Sequence, residues 1–148
     1  MPAGPLYASA MELEVGPFDP VLHIRSRDHY EAVRREAQLV ALTPEAPPAR
    51  FNELVERLGD QFPRSSVDDV ADQAYLAREP AFTVRYTLPD ELVPAALAAC
   101  DEVEKLLDEL DLWAATEEIR LLEAPEDVRR YRAAYLAQVR AQLQGALG

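Results

Sequence analysis

The chain has 148 residues, enough for one domain with a core of its own, and 49% of them are hydrophobic, which excludes a wholly disordered protein. No apolar run approaches the ~20 residues of a transmembrane helix, so no membrane partner is expected. The net charge of −12 disfavours nucleic acid as a direct partner, and the single cysteine, Cys100, excludes an internal disulfide. The single cysteine also agrees with a reducing, cytoplasmic location. Arginine supplies fourteen of the fifteen basic residues, as in GC-rich coding, which favours a bacterial source.

The N-terminal segment, residues 1–11, is rich in Pro, Gly and Ala and lacks the basic start and apolar stretch of a signal peptide. We expect it to be a flexible leader. Residues 12–25 carry apolar side chains interrupted by Gly16-Pro17 and Asp19-Pro20. This pattern predicts two short extended pieces, the second around Leu22 to Ile24.

Three helices are predicted before the clearest strand. Asp28 and Glu31 form a capping-box pattern ahead of apolar residues that recur every three or four positions. Gly59 stands where a helix C-terminus favours a left-handed residue. The expected helices run from about His29 to Leu42, from Phe51 to Gly59 and from Ser66 to about Arg78, with a proline-rich connector at 43–48.

The segment 82–88 alternates apolar residues with Thr and Arg, which is typical of a strand. A strand needs a partner, and two segments qualify: Leu13 to Ile24 and Ile119 to Glu123. We therefore expect a small antiparallel sheet that uses one or both of them.

The most organised segment follows this strand and is predicted to be a long helix beginning near Thr87 or Asp90, with Pro94 in its first turn. Its apolar residues alternate at spacings of four and three over three heptads, which indicates a packing seam. Residues 89–111 carry eight acids and only Lys105 as a base. The seam residues are Leu92, Ala96, Ala99, Val103, Leu106, Leu110 and Trp113.

A last helix is predicted from Pro125, with Glu126 and Asp127 suited to its positive N-terminal end. The sequence thus predicts an α+β, mainly α fold, with about five helices and a small antiparallel sheet that has a strand near 82–88. Residues 12–144 form the expected single globular domain, and 145–148 form a tail. The apolar stripe of the last helix is Val128, Tyr131, Tyr135, Val139 and Leu143.

Residues that often carry chemistry are sparse. The two histidines, His23 and His29, lack the spacing of a shared metal site, and the serines lack a nucleophile motif. Cys100 lies among small apolar residues, where a buried thiol is expected. Glu104 and Asp108 share a helix face, an arrangement more often solvated than catalytic or metal-binding. We therefore expect no catalytic residue, no metal and no cofactor.

Four stretches of the sequence form a recognisable set: His29 to Glu36, Val84-Arg85-Tyr86 leading into Pro89, Leu106 to Glu109, and Leu121-Leu122 followed by Pro125 to Tyr135. Together they resemble a family of small uncharacterised proteins of GC-rich Gram-positive bacteria. Members of that family are often found near anti-sigma-factor, antagonist and phosphatase components of partner-switching regulation. The resemblance covers about residues 20–142 and implies a regulatory binding protein without catalytic residues.

The leading hypothesis is a non-enzymatic regulator that binds another protein with a basic surface through the acidic helix. One alternative is an acidic, immunity- or antitoxin-like inhibitor of a basic partner. Another is a small-ligand-binding or metal-dependent helical domain using Tyr131, Tyr135, Glu104 and Asp108, and homodimerisation through the seam also stays open. The expected partner-binding residues are Asp101, Glu104, Asp108, Asp111 and Trp113.

Overall fold

Two strands far apart in the sequence form the sheet. The computed structural model describes residues 9–39, 47–61, 67–116 and 124–147. Strand β1 (Ala10–Phe18) pairs antiparallel with β2 (Phe82–Pro89), so the predicted strand near 82–88 and its N-terminal partner are confirmed. The other candidate partner, 119–123, and most of the expected leader, 1–8, lie outside the described residues.

Helix α1 (Pro20–Leu39) begins nine residues earlier than predicted. The expected second extended piece, Leu22 to Ile24, is wrong because Asp19-Pro20 starts a helix and does not form a turn. The Asp19 carboxylate accepts a hydrogen bond from the Val21 amide at 2.9 Å, and Pro20 has no amide that the first turn would leave unsatisfied. The predicted capping pair, Asp28 and Glu31, therefore lies inside the helix.

Helices α2 (Pro47–Gln61) and α3 (Val67–Leu76) also differ from prediction at their ends. The prolines assigned to a connector open α2, where a missing amide costs little, and α2 continues past Gly59. After α3, Arg78 adopts a left-handed φ of 57°. The Arg78 and Glu79 amides donate to carbonyls of the last helical turn, a Schellman closure that here uses arginine in place of glycine.

A short 3₁₀ turn (Asp90–Leu92) leads into α4 (Val93–Thr116), and the last helix, α5, spans Glu126–Leu147. The described residues thus contain five α-helices and a two-stranded antiparallel sheet, which confirms the α+β, mainly α class. The predicted start of the last helix at Pro125 is confirmed to within one residue.

Helix α4 connects two parts of the core. Its N-terminal half packs with the sheet and α5 around Cys100, Leu13 and Leu143. Its C-terminal half packs with α1 and α2 around Leu110 and Phe51. Leu106 and Leu110 are the buried members of the predicted seam, and the other five seam residues are half-buried. The buried face of α4 differs from the predicted seam, since it also includes Val93, Cys100 and Ala114. The chain itself therefore covers the seam.

The outer edge of β1 is held by two glutamines of α5. The Gln142 side-chain amide donates to the Glu14 carbonyl at 2.7 Å and accepts from the Glu14 amide at 2.9 Å. Gln138 accepts from the Gly16 amide at 2.8 Å. Three backbone groups of β1, the Glu14 amide and carbonyl and the Gly16 amide, thus find partners on α5.

Candidate functional site

An open groove of about 460 Å³ lies between α4 and α5. Leu107, Ala133 and Leu136 supply its apolar lining. Glu104 and Asp108 make the α4 side of the groove acidic, and we call this side the α4 bank. The opposite side, the α5 bank, carries charges of both signs. The charged residues of the α5 bank are Glu126, Arg129, Arg130 and Arg132.

Arginines from both neighbouring helices hold the acids of α4. Arg50 and Arg57 of α2 pair with Glu109 and Glu102, the first pair at 2.9 Å. On the other side, the Arg140 guanidinium of α5 contacts both Asp101 and Glu104 at 3.1 Å. Most of these side chains are substantially exposed, so each pair stabilises the fold only weakly. The pairs nevertheless reduce the negative charge that α4 presents outward.

Asp111 and Arg132 form the most enclosed of these pairs. Their side chains are only 11% and 13% exposed, and Asp111 also accepts a hydrogen bond from the Ala124 amide. Removing either side chain would leave the other as an uncompensated buried charge, which would destabilise the fold. This pair therefore joins α4 to α5.

The structure distributes the five predicted partner-binding residues over different surroundings. Glu104 and Asp108 line the groove, and Asp101 lies one turn before Glu104 on the same helix. Asp111 is engaged with Arg132, and Trp113 is half-buried against the core of α1 and α2. Asp108 is exposed and has no ion pair with any residue of the described ranges.

Tyr131 and Tyr135 lie away from the two groove carboxylates, in an aromatic cluster with Phe18. The Phe18 ring meets Tyr131 edge-on at 5.2 Å and stacks on Tyr135 at 5.7 Å. Neither tyrosine lines the groove. The structure therefore does not bring together the four residues considered for ligand or metal chemistry.

His23 forms a polar centre that joins three helices. Its Nε2 lies 2.6 Å from the Asp68 carboxylate of α3, and its Nδ1 lies 2.6 Å from the Tyr131 hydroxyl of α5. A carboxylate only accepts, so Nε2–H donates to Asp68, and in the tautomer with its proton on Nε2 the Nδ1 atom accepts from the Tyr131 hydroxyl. Burial raises the pKa of Tyr131 well above its usual value, which keeps this hydroxyl protonated.

Removing one member of the His23–Tyr131 pair should leave the other inside the protein without its partner. We expect His23→Ala and Tyr131→Phe each to lower the free energy of unfolding by about 1–3 kcal/mol. The double variant should lose less than the sum, with a coupling of about 1 kcal/mol in urea unfolding. Tyr135→Phe is the matched control and should change stability by less than about 0.5 kcal/mol. Additive losses would contradict the pairing.

A second polar link runs parallel to the first. Arg27 donates to both oxygens of Asp72, at 3.0 and 2.9 Å. This hydrogen bonding holds the pKa of Asp72 below, and that of Arg27 above, the usual value. Sequence reasoning missed both links, yet a signal exists: His23 and Arg27 are four residues apart on α1, as are their partners on α3.

Cys100 is buried, as expected, and burial raises the pKa of its thiol, which keeps it in the less reactive protonated form. Among residues 9–39, 47–61, 67–116 and 124–147, no three His, Cys, Asp or Glu side chains are grouped as metal ligands. None of the described helices has the length and apolar character needed to cross a bilayer.

In comparisons with known proteins, no family model, no curated protein and no solved structure matches this chain.

Proposed function

We propose that this chain is a non-enzymatic regulatory protein that binds another protein through the groove between α4 and α5. The partner is expected to present a basic surface to the α4 bank. The sequence resemblance adds the expected context of this binding, which is partner switching of the anti-sigma-factor type.

The observation that carries the proposal is the surroundings of Asp108. This carboxylate is exposed, has no ion pair within the described part of the chain, and lies beside Leu107 and Leu136 in the groove. One turn further along α4, Leu112 is 70% exposed. Accessible apolar side chains with a polar rim are typical of a protein-binding surface, and Asp108 supplies such a rim here.

The charges of the groove also orient the partner. A partner cation is attracted to Asp108 and Glu104 on α4, whereas Arg130 repels it from the opposite bank. Binding should therefore be faster at low salt and weaken as salt screens the α4 bank. Broad charge mimicry is less favoured, because five of the six acids between Asp101 and Asp111 already contact arginines.

The proposal can be tested with three immobilised baits: the unchanged chain, Asp108→Lys, and Glu79→Lys as a control. Glu79 is an exposed acid that does not line the groove. A protein captured from the source cells by the unchanged and Glu79→Lys baits should be lost with Asp108→Lys. Calorimetry with that purified protein should show at least tenfold weaker binding to Asp108→Lys, the loss expected for one close interfacial charge pair.

Two results would contradict this function. One is capture of nothing above background at both low and moderate salt, and the other is equal capture by all three baits. Light scattering over a dilution series tests the remaining alternative, which is that the chain forms a homodimer. A molecular mass that doubles with concentration in the unchanged chain, and not in Asp108→Lys, would identify a second copy as the occupant of the groove.

A further inference from the structure

A second cavity, of about 270 Å³, lies between the helices on the side of α4 that faces α1 and α2. Its apolar wall includes Val33, Phe51 and Leu110, whose exposed fractions are 1%, 6% and 0%. Val55 and Leu107 complete much of that wall. A cavity of about 150 Å³ lined by such side chains accepts benzene, so this one has room for a ring and a substituent.

The polar wall of the cavity is rich in hydrogen-bond donors. Arg27 and Arg132 line it, and each guanidinium has five N–H groups. Arg27 gives two nitrogens to Asp72, and Arg132 gives one to Asp111, so further N–H groups remain on both. Ser26 adds a hydroxyl to the same wall.

Acceptors on this wall are fewer. Both ring nitrogens of His23 are engaged with Asp68 and Tyr131. Asp68 is the acid among the described lining residues; its side chain is 58% exposed, and one of its carboxylate oxygens is engaged with His23. Ser26, His29 and Tyr30 also line the cavity, and their groups can donate or accept. The two guanidinium groups, which only donate, therefore favour a ligand that supplies acceptor oxygens.

We propose that this cavity binds a small monocarboxylate with a compact apolar body, such as an aryl or short branched-chain acid. The carboxylate faces Arg27 and Arg132 and accepts from the N–H groups that remain beside their bonds to Asp72 and Asp111. The apolar body lies against Phe51, Val55 and Leu110. This combination of an apolar pocket and a few convergent polar groups is typical of small-molecule sites.

The test uses phenylacetate, indole-3-acetate and 4-methylpentanoate as probes, with phenylacetamide as the neutral counterpart of the first. Calorimetry and thermal unfolding of the unchanged chain should show saturable, submillimolar binding of at least one acid. Phenylacetamide should bind at least tenfold more weakly than phenylacetate where the latter binds. Arg27→Gln should weaken binding of the acid and leave that of the amide nearly unchanged.

Two further variants distinguish binding in the cavity from binding elsewhere on the surface. Val55→Phe fills the cavity and should abolish binding, with folding checked by circular dichroism and by its own unfolding transition. Val21→Phe makes the same change at a position that is 45% exposed and outside the cavity, and it should bind as the unchanged chain does. Should Val55→Phe not fold, Val55→Leu and Val55→Met serve as smaller fillings, expected to weaken binding at least tenfold.

The proposal is overturned if no acid binds at millimolar concentration, or if folded cavity-filling variants bind as tightly as the unchanged chain. Equal affinities for phenylacetate and phenylacetamide would overturn the assignment of the carboxylate to the arginines. None of these results depends on the protein partner of the α4–α5 groove, so the two proposals are tested separately.

Discussion

Leu110→Ala should lower the free energy of unfolding by about 3–5 kcal/mol. Leu110 is 0% exposed and lies where α4 meets α1 and α2, against Val33 and Phe51. The lost side chain would enlarge the cavity that Leu110 already lines, so its neighbours have little to collapse onto. Because typical domains are stable by only about 5–15 kcal/mol, this loss is a large part of the total. Urea unfolding followed by circular dichroism measures it.

The matched control lies on the same helix. Leu112 is 70% exposed, so Leu112→Ala removes the same atoms from a surface position and should change stability by less than about 0.5 kcal/mol. Similar losses for the two variants would mean that α4 does not turn Leu110 inward, which would contradict the packing between α4 and α2.

Gly16→Ala is expected to be the second strongly destabilising change, by about 2–3 kcal/mol or more. Gly16 has a φ of +137°, a conformation that side-chain-bearing residues rarely adopt. A Cβ at this position would lie 2.8 Å from the Phe82 carbonyl oxygen and 2.9 Å from the Thr83 Cα. Both contacts are with backbone of the paired strand, which cannot move without breaking the sheet. Urea unfolding measures the loss.

At Gly145 the same substitution, glycine to alanine, is expected to raise stability, not lower it. It lies in α5, and a Cβ added there would have no neighbouring atom within 4 Å, so alanine meets no obstacle. Because alanine favours the helix more than glycine does, Gly145→Ala should raise stability by up to about 1 kcal/mol. If Gly16→Ala were also neutral, the close approach of β1 and β2 at this point would be wrong.

The elements that could be predicted from the sequence are those with a strong period. The alternation over 82–88 predicted β2 to within one residue. The apolar stripe from Val128 onward predicted α5 and its start, but the helix continues to Leu147, through most of the expected tail. Errors arose at Asp19-Pro20 and Gly59, where one local pattern is compatible with either a turn or a helix end. At such positions tertiary packing decides between the two, and a single sequence does not contain that information.

The candidate site was harder to predict because its properties depend on residues distant in sequence. The acids of α4 suggested an open negative face, but the arginines that neutralise most of it come from α2 and α5. A pairing such as Asp111 with Arg132 is invisible without the fold. Only the i, i+4 spacing of the His23 and Arg27 pairs offered a signal in the sequence itself.

The two glutamines of α5 that hold β1 have a consequence for solubility. Exposed strand edges recruit strands from other molecules, and a two-stranded sheet is especially vulnerable because both of its strands are edges. At Glu14, the Gln142 amide donates and accepts as the peptide group of an added strand would. Around Glu14 and Gly16 the edge of β1 is thereby closed to β-augmentation, and an added strand would first have to displace α5 there.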